Sequence, residues 1–203
     1  IKGAIEASNE FDTDIILVGR EDFIRKNLEG LDYSKDKVEI VDAKDNIENN
    51  EDPAFALRRK KNSSIVVAMT LLKEKKADAI ISAGSTGALL AGGLFIVGRI
   101  KGIKRAVLPT LIPGNKSNTL VIDSGANMDT NPDLLLQFAI LGDIFLKEYY
   151  KIESPRVSLL NVGTEEGKGN SIYKETYNKL KDSSINFVGN LEARDIMNND
   201  VDL

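Results

Sequence analysis

The chain reads as an α/β protein built on a mixed, mostly parallel sheet. Short apolar runs at residues 14–18, 38–41, 79–82, 156–162 and 186–188 alternate with amphipathic stretches of helical length. Two β-rich runs, 106–112 and 119–123, flank Pro113, Gly114 and Asn115, which predicts a hairpin and one antiparallel excursion. Three glycine-bearing loops, residues 84–87, 123–129 and 163–170, leave the carboxyl ends of predicted strands. In open α/β sheets, ligands sit outside those ends.

In chain order, residues 1–10 look like the end of an amphipathic helix. The strand 14–18 closes at Gly19, and a short helix 21–28 ends before Gly30. A second strand covers 38–41, and the acidic stretch 42–52 is a loop. Pro53 opens a helix that reaches Lys60. Its end carries Arg58, Arg59, Lys60 and Lys61, either a solvated face or a contact for phosphate or an acidic partner. Ser63 caps a helix reaching Lys76, with Ile65, Val66, Met69 and Leu72 as its apolar stripe.

Residues 77–93 organise the rest of the chain. A buried strand at 79–82 passes through Gly84, Ser85, Thr86 and Gly87 into a helix ending near Gly98. Such a helix start leaves backbone N–H groups unpaired, and with the helix dipole they make an anion site. A tight turn with an ordinary cap accounts for the same residues. Asn131, Pro132 and Asp133 open the helix that reaches Tyr150. A strand at 156–162, a helix at 171–180 and a strand at 186–188 complete the order. No internal repeat, low-complexity segment or composition shift divides the chain, so one domain over 1–203 is expected. The first and last residues read as a cut helix and a cut strand, so a fragment of a longer protein is expected.

The 203 residues carry 27 basic and 31 acidic side chains, a net charge of −4. That balance argues against nucleic acid as the main partner. No apolar run of membrane-spanning length and no signal-peptide pattern occurs. Cysteine is absent, which excludes disulfides and fits a cytoplasmic setting. Histidine is absent too, so Ser-His-Asp triads, Cys-His pairs and thiolate or imidazole zinc sites are excluded. Chemistry must use lysine, carboxylates, hydroxyls, amides, backbone donors or an oxygen-bound metal.

Lys168 lies between Gly167 and Gly169 in the third loop. The stretch fails as a P-loop: it is one residue short, and Gly169 stands where a metal-binding hydroxyl belongs. A lysine flanked by glycines still suits a phosphate oxygen. Glu165 and Glu166 point apart on an extended segment. Asp123, Asp129 and Asp133 could gather a hard metal ion, but Asp133 has sufficient work in a helix first turn.

Several blocks carry a family resemblance. They are Ser-Ala-Gly-Ser-Thr-Gly-Ala-Leu at 82–89, Asp-Ser-Gly-Ala-Asn-Met-Asp at 123–129, Leu-Leu-Gln-Phe-Ala at 135–139, Pro-Arg-Val-Ser-Leu-Leu-Asn-Val-Gly at 155–163, Glu-Glu-Gly-Lys-Gly-Asn at 165–170 and Asn-Phe-Val-Gly-Asn-Leu-Glu-Ala-Arg-Asp at 186–195. In this order they resemble the PlsX family of bacterial phosphate acyltransferases, over essentially the whole chain. The resemblance implies a three-layer α/β/α, Rossmann-like fold shared with phosphotransacetylases and isopropylmalate dehydrogenases. It implies acyl phosphate formation from acyl-acyl carrier protein and inorganic phosphate, an early step towards phosphatidic acid, without a cofactor or a resident metal. It also implies a cytoplasmic homodimer that touches the membrane peripherally through a part outside this chain. Family chains extend beyond both ends, with a first strand and a Gly-Gly-Asp motif before and a glycine-rich active-site loop after. The family usually has Asn where this chain has Ser85.

Phosphate is already anionic at neutral pH and can attack a thioester without a histidine base, so the protein must hold it and stabilise the tetrahedral oxyanion. Lys168 and Asn170 are the expected catalytic residues. Gly84, Ser85, Thr86, Gly87, Asp123, Gly125, Asn127 and Glu166 are the expected substrate contacts. Asp123 is expected to position its loop rather than to take a proton. A phosphotransacetylase acting on coenzyme A thioesters would use the same loops, and a non-enzymatic scaffold that recruits carrier protein to membranes is a further alternative.

Overall fold

The computed structural model describes residues 1–198 and 201–203. They fall into two compact units, Ile1–Ile100 and Lys101–Leu203.

The first unit begins with helix α1 (Lys2–Phe11), strand β1 (Ile15–Gly19), helix α2 (Glu21–Leu28) and strand β2 (Val38–Asp42). The two strands pair in parallel, from Ile15 opposite Val38 to Gly19 opposite Asp42. Ile5, Ile24 and Leu28 bury the helices against Leu17, Val38 and Ile40. The Asp42 carboxylate, at the end of β2, accepts the Glu21 N–H at 3.0 Å and so caps α2 from the neighbouring strand.

Helix α3 (Pro53–Arg59) starts at the proline, as the sequence predicts, and the Asp52 side chain accepts the Phe55 N–H at 2.8 Å. Helices α4 (Ser64–Lys73) and α5 (Thr86–Gly92) come next, and α5 runs on as a π-helical turn over Gly93–Val97. Ala56, Leu57, Ile65, Val66, Ala88 and Ala91 form the core between them. The small face of α5 is therefore a packing face, which brings the α5 backbone close to its neighbours.

Two expectations need correction in this unit. Residues 79–82 form no strand: they join no ladder among the described residues, and Ile81 is 99% exposed. An apolar run becomes a strand only when a neighbour satisfies its N–H and C=O groups, and periodicity cannot supply that neighbour. Ser63 stands at the N-cap of α4, yet its side chain makes no capping bond, and its buried hydroxyl has no partner among the described residues. Its backbone N–H donates to the Lys60 carbonyl at 3.0 Å instead.

The second unit holds an antiparallel hairpin, β3 (Thr110–Ile112) with β4 (Thr119–Val121), then helix α6 (Pro132–Tyr150). Strand β5 (Val157–Asn161), helix α7 (Ser171–Lys181) and strand β6 (Phe187–Glu192) form a parallel crossover unit. The expected hairpin and α7 are present, although β3 is shorter and β6 longer than the apolar runs suggest. The Asn131 carboxamide oxygen accepts the Leu134 N–H at 3.0 Å and starts α6. Ala139, Val157, Leu159 and Leu180 form the core, and Tyr177 meets Phe187 edge-on at 5.0 Å.

Residues 201–203 tie the hairpin to β5. The Leu120 N–H donates to the Asp202 carbonyl at 2.9 Å, and the Ser158 N–H donates to the Leu203 carbonyl at 2.7 Å. The Asp202 carboxylate accepts the Arg156 N–H at 2.8 Å and the Arg156 guanidinium Nε at 3.0 Å and Nη2 at 3.2 Å. Among the described residues, no helix is long and apolar enough to cross a membrane.

Burial alone would raise the Asp202 pKa, but hydrogen bonds and charge from Arg156 outweigh it and hold the carboxyl below its ordinary value. A carboxyl with a depressed folded-state pKa adds stability above its unfolded pKa of about 3.9, and that stability is lost as pH falls through the folded pKa. Asp202→Asn therefore lowers unfolding free energy at pH 7 by about 2 kcal/mol. It also flattens the fall in stability below about pH 4. Urea unfolding of both proteins at pH 7 and pH 3 measures the two effects; equal losses at both pH values would exclude a role for the ionised pair.

Candidate functional site

Loop 163–170 leaves the carboxyl end of β5 and enters α7, so it sits where parallel strands present ligands. Its geometry is set by amides. The Asn161 side-chain Nδ2 donates to the Lys168 carbonyl at 3.2 Å and to the Asn190 Oδ1 at 3.3 Å. The Asn190 Nδ2 donates to the Glu165 carbonyl at 2.8 Å. That carbonyl also accepts the Lys168 N–H at 3.1 Å. Gly169 adopts φ +84°, and a Cβ there would lie 2.8 Å from both the Asn161 Oδ1 and the Tyr173 Cβ. Only glycine closes this turn.

Lys168 is half-exposed, and its ammonium lies 3.5 Å from a Glu165 carboxylate oxygen. Glu166 turns the other way and meets Lys181 at 3.2 Å, so the adjacent acids do point apart. The hydrogen bond and charge from Glu166 raise the Lys181 pKa above the ordinary lysine value. An open pocket of about 590 Å³ runs along the loop, lined by Leu160, Asn161, Val162, Gly169, Asn170 and Tyr173.

Asn170 is the N-cap of α7. Its Oδ1 accepts the Ile172 N–H at 3.0 Å and the Tyr173 N–H at 3.3 Å. The oxygen is thus committed to the helix, while the two NH2 donors have no partner among the described residues. The cap is a sufficient structural reason for this residue, and donation to an anion is the chemistry left to it.

The second loop is closed on itself. Asp123 Oδ1 accepts the Leu108 N–H at 2.8 Å, and Oδ2 accepts the Asn127 N–H at 2.7 Å and its Nδ2 at 3.0 Å. The Asn127 Nδ2 also donates to the Ala106 carbonyl at 2.9 Å. Both Asn127 amide hydrogens are therefore engaged, which leaves only its oxygen for a ligand. Gly125 takes φ +98° between them. Asp123 thus ties the Leu108 N–H to the loop, and Asn127 ties the Ala106 carbonyl.

Among the described residues, no group of three or more acids gathers as metal ligands. Asp133 instead faces Lys179 at 3.0 Å, which lowers its pKa below the ordinary carboxyl value.

The first unit carries the remaining expected contacts. The Ser85 Oγ accepts the Ala88 N–H at 3.3 Å, and the Ser82 Oγ accepts the Gly84 N–H at 3.2 Å. The N–H groups of Gly84 and Ala88 are thus already paired, and those of Thr86 and Gly87 have no partner among the described residues. A Cβ on Gly87 would lie 2.8 Å from the Pro53 ring, so packing of α3 on α5 already requires glycine there.

Asn161 and Asn190 received no individual role from the sequence. Their signal was an amide closing the apolar run Leu-Leu-Asn and another inside a strand after Gly189. Neither position favours Asn on propensity, so each asks for a hydrogen-bonding reason.

The model of a family described as "Fatty acid synthesis protein" matches residues 1–203. The chain is 49% identical over 203 residues to a protein named phosphate acyltransferase from Clostridium kluyveri, covering 100% of this chain and 61% of that protein. Proteins of the same name from Clostridium tetani and Clostridioides difficile are 47% and 48% identical, covering 100% and 98% of this chain and 61% and 58% of theirs. The chain thus spans about three fifths of the length of these relatives. The structure resembles the EutD phosphotransacetylase from Staphylococcus aureus with a TM-score of 0.62, over 92% of this chain and 62% of the other, at 17% identity. That likeness establishes the phosphotransacetylase-like α/β fold alone.

Asn170→Asp keeps the capping oxygen and removes the NH2 donors, whereas Asn170→Ala removes both. Thermal unfolding is expected to show the alanine variant about 1 kcal/mol less stable and the aspartate variant close to the parent. Turnover that survives in the aspartate variant would reduce Asn170 to a cap.

Proposed function

This chain belongs to the fatty acid synthesis protein family, and we propose that it forms the acyl-transfer portion of an enzyme making acyl phosphate. The donor is an acyl thioester on acyl carrier protein, and the acceptor is inorganic phosphate. The product feeds phospholipid synthesis at an early step, towards phosphatidic acid. The observation that carries this reading is the Lys168 turn. It offers a half-exposed ammonium between two glycines, beside an Asn170 amide whose donors are open. The relatives named phosphate acyltransferase are 47–49% identical to this chain over its whole length.

In the proposed reaction, a phosphate oxygen attacks the thioester carbonyl carbon. The carbon–oxygen bond forms, the carbonyl π electrons move to oxygen, and a tetrahedral oxyanion results. Collapse re-forms the carbonyl and breaks the carbon–sulfur bond. The thiolate leaves with the electron pair and takes a proton from water. Phosphate supplies its own negative charge, so no histidine base is needed. Lys168 neutralises phosphate or the developing oxyanion. Asn170 donates from its amide, and Asn127 and Asp123 hold loop 123–129, with Gly125 giving that loop its turn. Glu166 with Lys181 fixes the far side of the Lys168 turn. The turn of Gly84, Ser85, Thr86 and Gly87 is also assigned to phosphate, through the backbone N–H groups of Thr86 and Gly87. The proposal includes a cytoplasmic homodimer with peripheral membrane contact, and no nucleic acid partner.

The full chain, supplied with acyl-acyl carrier protein, is expected to release acyl phosphate only when phosphate is present. Product from acyl-coenzyme A but not from the carrier protein would convert the assignment to a phosphotransacetylase. Carrier-protein binding without product would make it a scaffold. Lys168→Ala is expected to lower turnover by about 100-fold or more while the unfolding transition stays in place; near-normal turnover removes Lys168 from the mechanism.

A further inference from the structure

We infer that Asn190 is a positioning residue for Lys168. The inference rests on the role of Lys168 proposed above. Asn190 lies on β6, 25 residues beyond the loop it holds, and reaches it through a single donor, Nδ2 to the Glu165 carbonyl at 2.8 Å. Glu165 is the residue that governs Lys168 twice over. Its carbonyl accepts the Lys168 N–H at 3.1 Å, and its carboxylate lies 3.5 Å from the Lys168 ammonium. Asn190 therefore fixes the backbone group against which Lys168 is set.

The other half of the clamp comes from Asn161. It holds the Lys168 carbonyl at 3.2 Å, and its amide is in turn oriented by the Asn190 oxygen at 3.3 Å. The Val162 N–H donates to the Asn161 Oδ1 at 2.8 Å, which settles which end of that amide faces the loop. One cross-strand amide pair thus grips both ends of the turn 165–168. The lysine stem is fixed from below as well. A Cβ on Gly163 would lie 2.9 Å from the Lys168 Cγ, so the stem lies directly over that glycine.

The clamp has no charge of its own and touches no solvent-facing end of the lysine. Its effect is to restrict where the ammonium can be, which is worth rate only if a reacting group must meet it there. Asn190 itself is a strand residue paired opposite Leu159, and the ladder does not depend on its side chain.

The test uses the full chain and initial rates of acyl phosphate formation with phosphate and acyl-acyl carrier protein varied separately. Asn190→Ala removes both side-chain bonds. Asn190→Asp keeps the acceptor for Asn161 and removes only the donor to Glu165. Both are expected to lower kcat/KM for phosphate about 10-fold to 100-fold, with KM for the acyl donor held within about twofold. Combined with Lys168→Ala, either is expected to add no further loss, because a residue acting only through Lys168 has nothing left to position. A Lys168→Ala enzyme with unchanged rates would refute the lysine's role, whatever Asn190 does. An impaired Lys168→Ala enzyme with an unaffected Asn190→Ala enzyme would overturn this inference alone, as would losses that multiply in the double variant. If Asn190→Ala does not fold, Asn190→Asp is read in its place. Failure of both to fold would overturn the inference by making Asn190 a residue of the fold.

Discussion

The clasp between Arg156 and Asp202 is the contact on which the second unit depends. One carboxylate accepts a backbone N–H and two guanidinium donors from a residue 46 positions away. Around it the chain passes hydrogen bonds in both directions, to Leu120 in the hairpin and to Ser158 in β5. The antiparallel hairpin and the parallel β5–β6 pair are separate two-stranded ladders by their own bonds. Residues 201–203 are what joins them. A half-buried ion pair is weak stabilisation when it stands alone. Here its lone pairs are filled by backbone and side-chain donors together, so the buried carboxylate is not left wanting.

The same economy of polar groups shapes the loops. Without histidine or cysteine, the chain builds its candidate site from carboxamides, carboxylates and lysines. Most of these are already occupied. Asp123 holds three N–H groups, Asn127 uses both amide hydrogens, Asn170 caps a helix, and Glu166 pairs with Lys181. Among the described residues of the second unit, the Lys168 ammonium, the Asn170 NH2 and the Asn127 carboxamide oxygen keep capacity for a ligand. A cation and an amide donor on one turn suit an anion with several acceptor oxygens.

Much of the architecture was legible from local signals. Pro53, and Pro132 with Asn131, mark helix starts that the structure places at the same residues. The Pro113-Gly114-Asn115 stretch does separate the two hairpin strands. The strand at 79–82 failed because so short an apolar run carries no information about a ladder partner. Strand β6 ran past its apolar run because pairing with β5 continues through Asn190 and Glu192. In both cases the neighbour, not the composition, decided the outcome.

The sequence by itself determined which chemistries are possible, where the helices begin, and that Lys168 would sit on a glycine-flanked turn after an apolar strand. These are properties of residue types and of contacts within a few positions. Only the tertiary structure decided which of the polar groups are still available, because their partners come from 15, 21, 25 and 46 residues away. A side chain's type says what bonds it can make; its distant neighbours say which of those bonds are already made.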